Sequence, residues 1–145
     1  MNQPAENRGI IASFFGIKQY PALGEIENPV KYGYLLKRSN WLKKWEKRWF
    51  VLVKDRIFYF DTNNQALRAT GEIELEGTRI VPAGEFTGRP NTLGILHAQR
   101  KEYYLQAQNK EEQVDWMAKL ASVSRANTKR PIPRATQSEA NVARP

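Results

Sequence analysis

Short runs in which large apolar and aromatic side chains alternate with charged ones fill the middle of the chain. From Val30 onward they read VKYGYLLKR, WEKRWFVLV, RIFYF, GEIEL, TRIV, TLGILHA and EYYLQA, rich in the β-branched and aromatic residues that suit a pleated, half-buried surface. Turn residues separate them at Lys54-Asp55, Asp61–Asn64, Glu76-Gly77 and from Pro82 to Asn91. Seven strands so closely spaced predict antiparallel pairing in a barrel or a sandwich. The period then changes once, from two to 3.6. Val114, Trp116, Met117, Leu120 and Ala121 form an apolar stripe, and Asn109 with Glu112 three residues on marks a helix N-terminus. One helix after the strands predicts a mainly β fold in which a C-terminal helix would cap a barrel.

The flanks have a different texture. Residues 1–8 are polar, whereas GIIASFFGIKQY (9–20) places Ile10, Ile11, Phe14, Phe15 and Ile17 on one broad helical face, weakened by two glycines. This segment suits a short helix docked on the barrel, or a membrane or partner contact. PALGEIENP (21–29) reads as a linker ending at Pro29. The expected organisation is an N-terminal extension at 1–29, a domain at 30–125 and a basic, proline-containing tail at 126–145 of disordered composition.

Composition removes much chemistry. With no cysteine and only His97 among 145 residues, there is no disulfide, thiolate zinc site, cysteine nucleophile or multi-histidine metal site. Nor is there a phosphate loop, a nucleophile elbow or a membrane-spanning apolar run. The expectation is a soluble cytoplasmic module with no catalytic residues, metal or cofactor. Glu72, Glu74 and Glu76 alternate with Ile73 and Leu75 and read as the wet face of a strand. His97, in an apolar run, reads as structural.

Charge redirects attention to one window. The chain carries a net +8, and residues 31–60 hold nine basic side chains against two acidic ones, which points to a localised anionic partner. Pairing the first two strands with Lys37 opposite Arg48 puts Leu35 opposite Phe50 and Gly33 opposite Leu52, an apolar column ending in two cations that an anion would reconcile. The other face (Tyr34, Leu36, Trp49, Val51) is apolar too, so alternation alone does not choose between faces. Between the strands, Trp41 and Leu42 sit among Arg38, Lys43 and Lys44. That arrangement suits shallow insertion at a membrane interface, with Lys43 as a further phosphate contact.

These residues resemble the pleckstrin homology (PH) domain family. Gly33-Tyr34-Leu35-Leu36-Lys37, then Trp45-Glu46-Lys47-Arg48-Trp49-Phe50-Val51-Leu52 and Ile57–Phe60, are similar to its opening strands. Tyr103–Ala107 and the helix around Trp116 are similar to its end. With its short flanks the chain resembles a small single-PH-domain protein. The resemblance implies a seven-stranded bent barrel whose open end binds phosphoinositide headgroups through Lys37, Arg48 and Tyr59. It departs from the family's pattern at Glu46, where a basic residue is expected. The implied function is recruitment to a cytoplasmic membrane surface, plasma membrane or endosomal, by phosphoinositide or other anionic lipid. The alternative is a protein-interaction adaptor on the same fold; nucleic acid is a weaker fit to the charge and exposed aromatics.

Overall fold

The structure, a computed structural model, describes residues 19–39 and 41–127. The strands are β1 (Lys31–Arg38), β2 (Trp45–Val53), β3 (Arg56–Phe60), β4 (Gly71–Glu74), β5 (Arg79–Pro82), β6 (Thr92–Leu96) and β7 (Tyr103–Gln106). A one-turn helix α1 (Gly84–Thr87) lies between β5 and β6, and α2 (Lys110–Asn127) follows β7. All pairings are antiparallel in one sheet of order β4-β3-β2-β1-β7-β6-β5. Ile73 on one edge strand and Leu93 and Ile95 beside the other pack into the same core as central Phe50 and Leu52, so the sheet curls over itself. Trp116 and Leu120 of α2 close that core. The strands and the capping helix follow the sequence pattern, and the Asn109 carboxamide oxygen accepts the Glu112 amide at 2.8 Å as the expected N-cap.

The hairpin register differs from expectation by two residues. Lys37 lies opposite Glu46, and Leu35 opposite Arg48. The six-residue loop after Arg38 closes tightly. Ser39 donates its amide to the Lys44 carbonyl (2.8 Å) and accepts the Lys43 amide (3.0 Å). Its hydroxyl accepts the Leu42 and Lys44 amides at 3.2 and 3.3 Å, and Lys43 takes a left-handed φ of 56°. This turn carries the strand pairing out to Arg38–Trp45. Because the shift is even, every side chain keeps its face: Leu35, Phe50 and Leu52 are buried, and Lys37 and Arg48 are diagonal neighbours rather than opposed.

Two other expectations are corrected. The stretch 21–29 is not a free linker. Leu23 and Gly24 donate to the carbonyls of Leu67 and Gln65, Pro21 accepts the Ala69 amide, and Leu23 joins Val51, Phe60 and Ala69 in a second small core. On α2, Val114 is 54% exposed. The inward position belongs to Gln113, 5% exposed, because its side-chain amide donates to the Thr92 carbonyl at 2.8 Å and satisfies a buried polar group that valine could not. The Ile10–Ile17 segment and the 128–145 part of the tail lie outside the described residues.

Candidate functional site

The ends of β1, β2 and β3 and the two loops that join β1 to β2 and β3 to β4 surround a cavity of about 180 Å³. Its lining is Lys37, Ser39, Glu46, Arg48, Tyr59, Asp61 and Thr70. Three residues expected to act together are therefore brought together: Lys37, Arg48 and Tyr59.

Lys37 is half-buried, its ammonium 5.0 Å from the centre of the Tyr59 ring and 5.9 Å from that of Tyr103. Burial pulls its pKa below the ordinary lysine value, and repulsion from Lys101 and Arg48 adds to this against a smaller pull from Glu46. The two aromatic faces partly replace the water it has lost. Burial, then the phenols of Tyr103 and Tyr20, push Tyr59 up to about 12, so its hydroxyl stays a neutral donor throughout the physiological range.

Arg48 is held by the protein's own carboxylates. Its Nη2 lies 2.8 Å from Glu46 Oε1 and its Nε 3.6 Å from Asp61 Oδ1, while Nη1 donates to the Lys47 carbonyl at 2.9 Å. Two cations thus face two carboxylates in the lining. Sequence reasoning identified Glu46 but missed Asp61, Ser39 and Thr70, which are ordinary turn residues until the chain folds.

Gly71 was also missed. It pairs with Tyr59 across β3–β4, and a Cβ there would run into the Tyr59 ring and hydroxyl. Gly71→Ala is expected to swing Tyr59 out of the lining and lower stability by about 1–3 kcal/mol, measured by urea unfolding. A stability equal to wild type would show that Tyr59 relaxes freely.

The loop beside the cavity is open. Trp41 is 87% and Leu42 61% exposed, and Lys43 and Lys44 are exposed with them. Lys43 stands outside the cavity's lining. Arg38, expected among the cations of this loop, instead ends β1 half-buried, its guanidinium 4.9 Å from the Tyr104 ring centre and 5.5 Å from that of Phe86. The strand's alternation turns it to the opposite face from Lys37. A larger cavity of about 370 Å³ lies between β4 and the 97–102 loop. There Arg100 is already engaged, by Glu74 at 3.0 Å and the Glu76 carbonyl at 2.7 Å. His97, also in the lining of this cavity, accepts the Gln99 amide on Nδ1 at 3.0 Å.

A curled seven-stranded sheet is thus closed by one helix, with a pocket of two cations and two carboxylates at its rim. The PH domain family model matches residues 29–125, and the chain belongs to that family. Human pleckstrin-2 is 32% identical over 106 residues, which is 66% of this chain and 30% of that protein. The Rho GTPase-activating protein gacFF of Dictyostelium discoideum is 30% identical over 132 residues, 84% of this chain and 14% of that protein. The chain therefore spans less than a third of either relative. Among solved structures, the C-terminal PH domain of pleckstrin in complex with D-myo-Ins(1,2,3,4,5)P5 matches with a TM-score of 0.59 at 29% identity, covering 68% of this chain and all of that one. The PH domain is a non-catalytic module, in gacFF one part of a much longer protein. Among the described residues, no helix is long and apolar enough to cross a membrane.

Proposed function

We propose that this domain binds the phosphorylated headgroup of a phosphoinositide, or another anionic lipid, and so holds the protein at a cytoplasmic membrane surface. The observation that carries this reading is the convergence of Lys37, Arg48 and Tyr59 on one cavity beside a loop that exposes Trp41 and Leu42. The basic window draws the domain to an anionic leaflet. A phosphate then enters between Lys37 and Arg48, with the Tyr59 hydroxyl as a neutral donor. Trp41 and Leu42 enter the interface, Lys43 and Lys44 contacting phosphates around them. The inositol pentaphosphate bound by the related pleckstrin domain supports this class of ligand. The two carboxylates and the small cavity favour a headgroup with few phosphates.

The test is sedimentation with vesicles of phosphatidylcholine, phosphatidylcholine with phosphatidylserine, and the latter with each phosphoinositide. Wild type is expected to favour the charged vesicles and to lose its phosphoinositide preference in Lys37→Ala. Wild-type binding indifferent to lipid charge would refute the reading and favour the protein-interaction adaptor.

The state of Lys37 sets a pH dependence. Phosphate binding needs the charged ammonium, and in the free protein that charge is lost at lower pH than for an ordinary lysine. Affinity for a soluble inositol phosphate is therefore expected to rise as the phosphate completes its ionisation near pH ~6, and to fall as pH climbs toward the lowered lysine pKa. Lys37→Arg, which stays charged, should abolish the alkaline fall in calorimetric titrations. Parallel losses in both proteins would assign the fall to another group.

A further inference from the structure

The hairpin of β1 and β2 has a second apolar face that the headgroup cavity leaves unused. Val30, Tyr32 and Tyr34 follow one another at every second residue and are exposed, Tyr32 by 60%. On β2, Trp49 lies opposite Tyr34, and its ring centre stands 4.8 Å from that of Tyr34 and 5.7 Å from that of Tyr32. The three rings form a ladder. Trp49 also packs against the second small core of Leu23, Val51, Phe60 and Ala69, which fixes the middle rung before anything binds. A trough runs along each side. One, of about 250 Å³, has Leu23, Ile26, Pro29, Tyr32 and Trp49 in its walls, and the other, of about 330 Å³, has Tyr34, Leu36, Lys47, Ala107 and Gln108. Neither lining holds a carboxylate. Lys47, its ammonium 4.6 Å from the Tyr34 ring centre, is the one charge in either.

We propose that this face binds a proline-rich polypeptide segment flanked by acidic residues, independently of the headgroup cavity. The rings stand on the face of two strands already paired with each other, so the occupant is held by side chains rather than added as a further strand. A polyproline helix suits such a surface. Its pyrrolidine rings pack on aromatic faces, it arrives already ordered, and its unpaired carbonyls accept hydrogen bonds from tyrosine hydroxyls and an indole N–H. The two steps of the ladder span about one polyproline turn, ~9 Å, so prolines one turn apart meet the two troughs. Lys47 favours an acidic flank, and one cation is too little charge to hold a nucleic-acid backbone. The chain's own Lys129-Arg130-Pro131-Ile132-Pro133-Arg134 has the wrong sign for it. Nor does the bilayer cover this face in the reading above, because Tyr32 lies six residues of strand, about 20 Å, from the loop end of β1. A membrane and a polypeptide are then held at once, by different parts of one hairpin.

The test titrates the isotope-labelled full chain with a peptide of six prolines between two pairs of glutamates, and with the same peptide carrying alanine in place of proline. The indole N–H resonance of Trp49, one of four tryptophans and assigned with Trp49→Phe, is expected to move saturably with the proline peptide alone, while that of the core Trp116 stays in place. Tyr32→Ala and Tyr34→Ala remove exposed rings and are each expected to weaken binding by about tenfold. Lys47→Glu is expected to weaken it for this peptide and to strengthen it for one flanked by lysines. Vesicle sedimentation of Tyr32→Ala is expected to match wild type. No shift at millimolar peptide, equal binding of both peptides, or an affinity within about twofold of wild type when Tyr32→Ala and Tyr34→Ala are combined overturns the inference. So does a dimer in light scattering that Tyr32→Ala dissolves, which would make a second copy the occupant, or a preference for oligouridylate over the peptide. Each of these outcomes leaves the headgroup reading standing.

Discussion

Trp116→Ala is expected to lower the free energy of unfolding by about 3–5 kcal/mol, the range for deleting a large buried aromatic whose space cannot collapse. Trp116 is 1% exposed and packs in one cluster with Leu35, Phe50 and Leu52 from the strands and Leu120 from its own helix. The Lys31 ammonium lies 5.2 Å from its ring centre and also pairs with Asp115 at 2.7 Å and Glu112 at 3.1 Å. The indole, with Leu120, is thus buried in the apolar core that joins α2 to the sheet. For a domain of this size the midpoint should fall by more than about 10 °C, measured by circular dichroism so that the lost indole does not distort the signal. Val114→Ala, two positions earlier and 54% exposed, should change stability by less than about 0.5 kcal/mol. A loss below about 1 kcal/mol for Trp116→Ala would mean that the helix is not integral to the core.

That pair of residues shows what the sequence made legible. Trp116, Met117 and Leu120 could be assigned to the inner face because burial of large apolar groups dominates the choice of helix face. Val114 could not be rejected by that rule, because what excludes it is a hydrogen bond from Gln113 to Thr92, 21 residues earlier. The hairpin behaves similarly. Alternation grouped Lys37 with Leu35 and Arg48 with Phe50 without choosing the buried face, and the pairing assumed between the strands set both groups on one side, as they are in the structure. Register depends on how Ser39 and Lys43 close the loop, and alternation is blind to a shift of two. The PALGEIENP segment read as a linker because its proline and glycine break periodicity. Its Leu23 is buried against residues from β2, β3 and the 61–70 loop, a tertiary contact with no local signature. The same holds for Asp61 and Gly71, which matter only because folding lays them against Arg48 and Tyr59.

Arg48 carries the second large effect. Phosphate binding requires it to trade its bond to Glu46 Oε1 at 2.8 Å and its contact with Asp61 at 3.6 Å for bonds to the ligand. Removing it does more than delete one donor. Arg48→Ala forfeits charge-assisted bonds of about 1.5–3 kcal/mol and leaves Glu46 and Asp61 facing the cavity with Lys37 as the one cation in its lining, so the pocket's balanced charge becomes net negative. Headgroup affinity is expected to fall by about 100-fold or more. Stability should change little, because the ion pairs lost are partly exposed and such pairs contribute modestly. Glu46→Lys should do the opposite. A carboxylate about 4 Å from a phosphate costs roughly 1–4 kcal/mol, depending on local dielectric. Replacing it by a cation opposite Lys37 frees Arg48 and should tighten binding by about tenfold or more, most for ligands with several phosphates. Calorimetry with a series of soluble inositol phosphates measures both. If Glu46→Lys bound every member no better than wild type, the Glu46–Arg48 pair would be a scaffold of the strand rather than a restraint on the pocket, and headgroup selectivity would have to be sought in Lys37, Tyr59 and the loop.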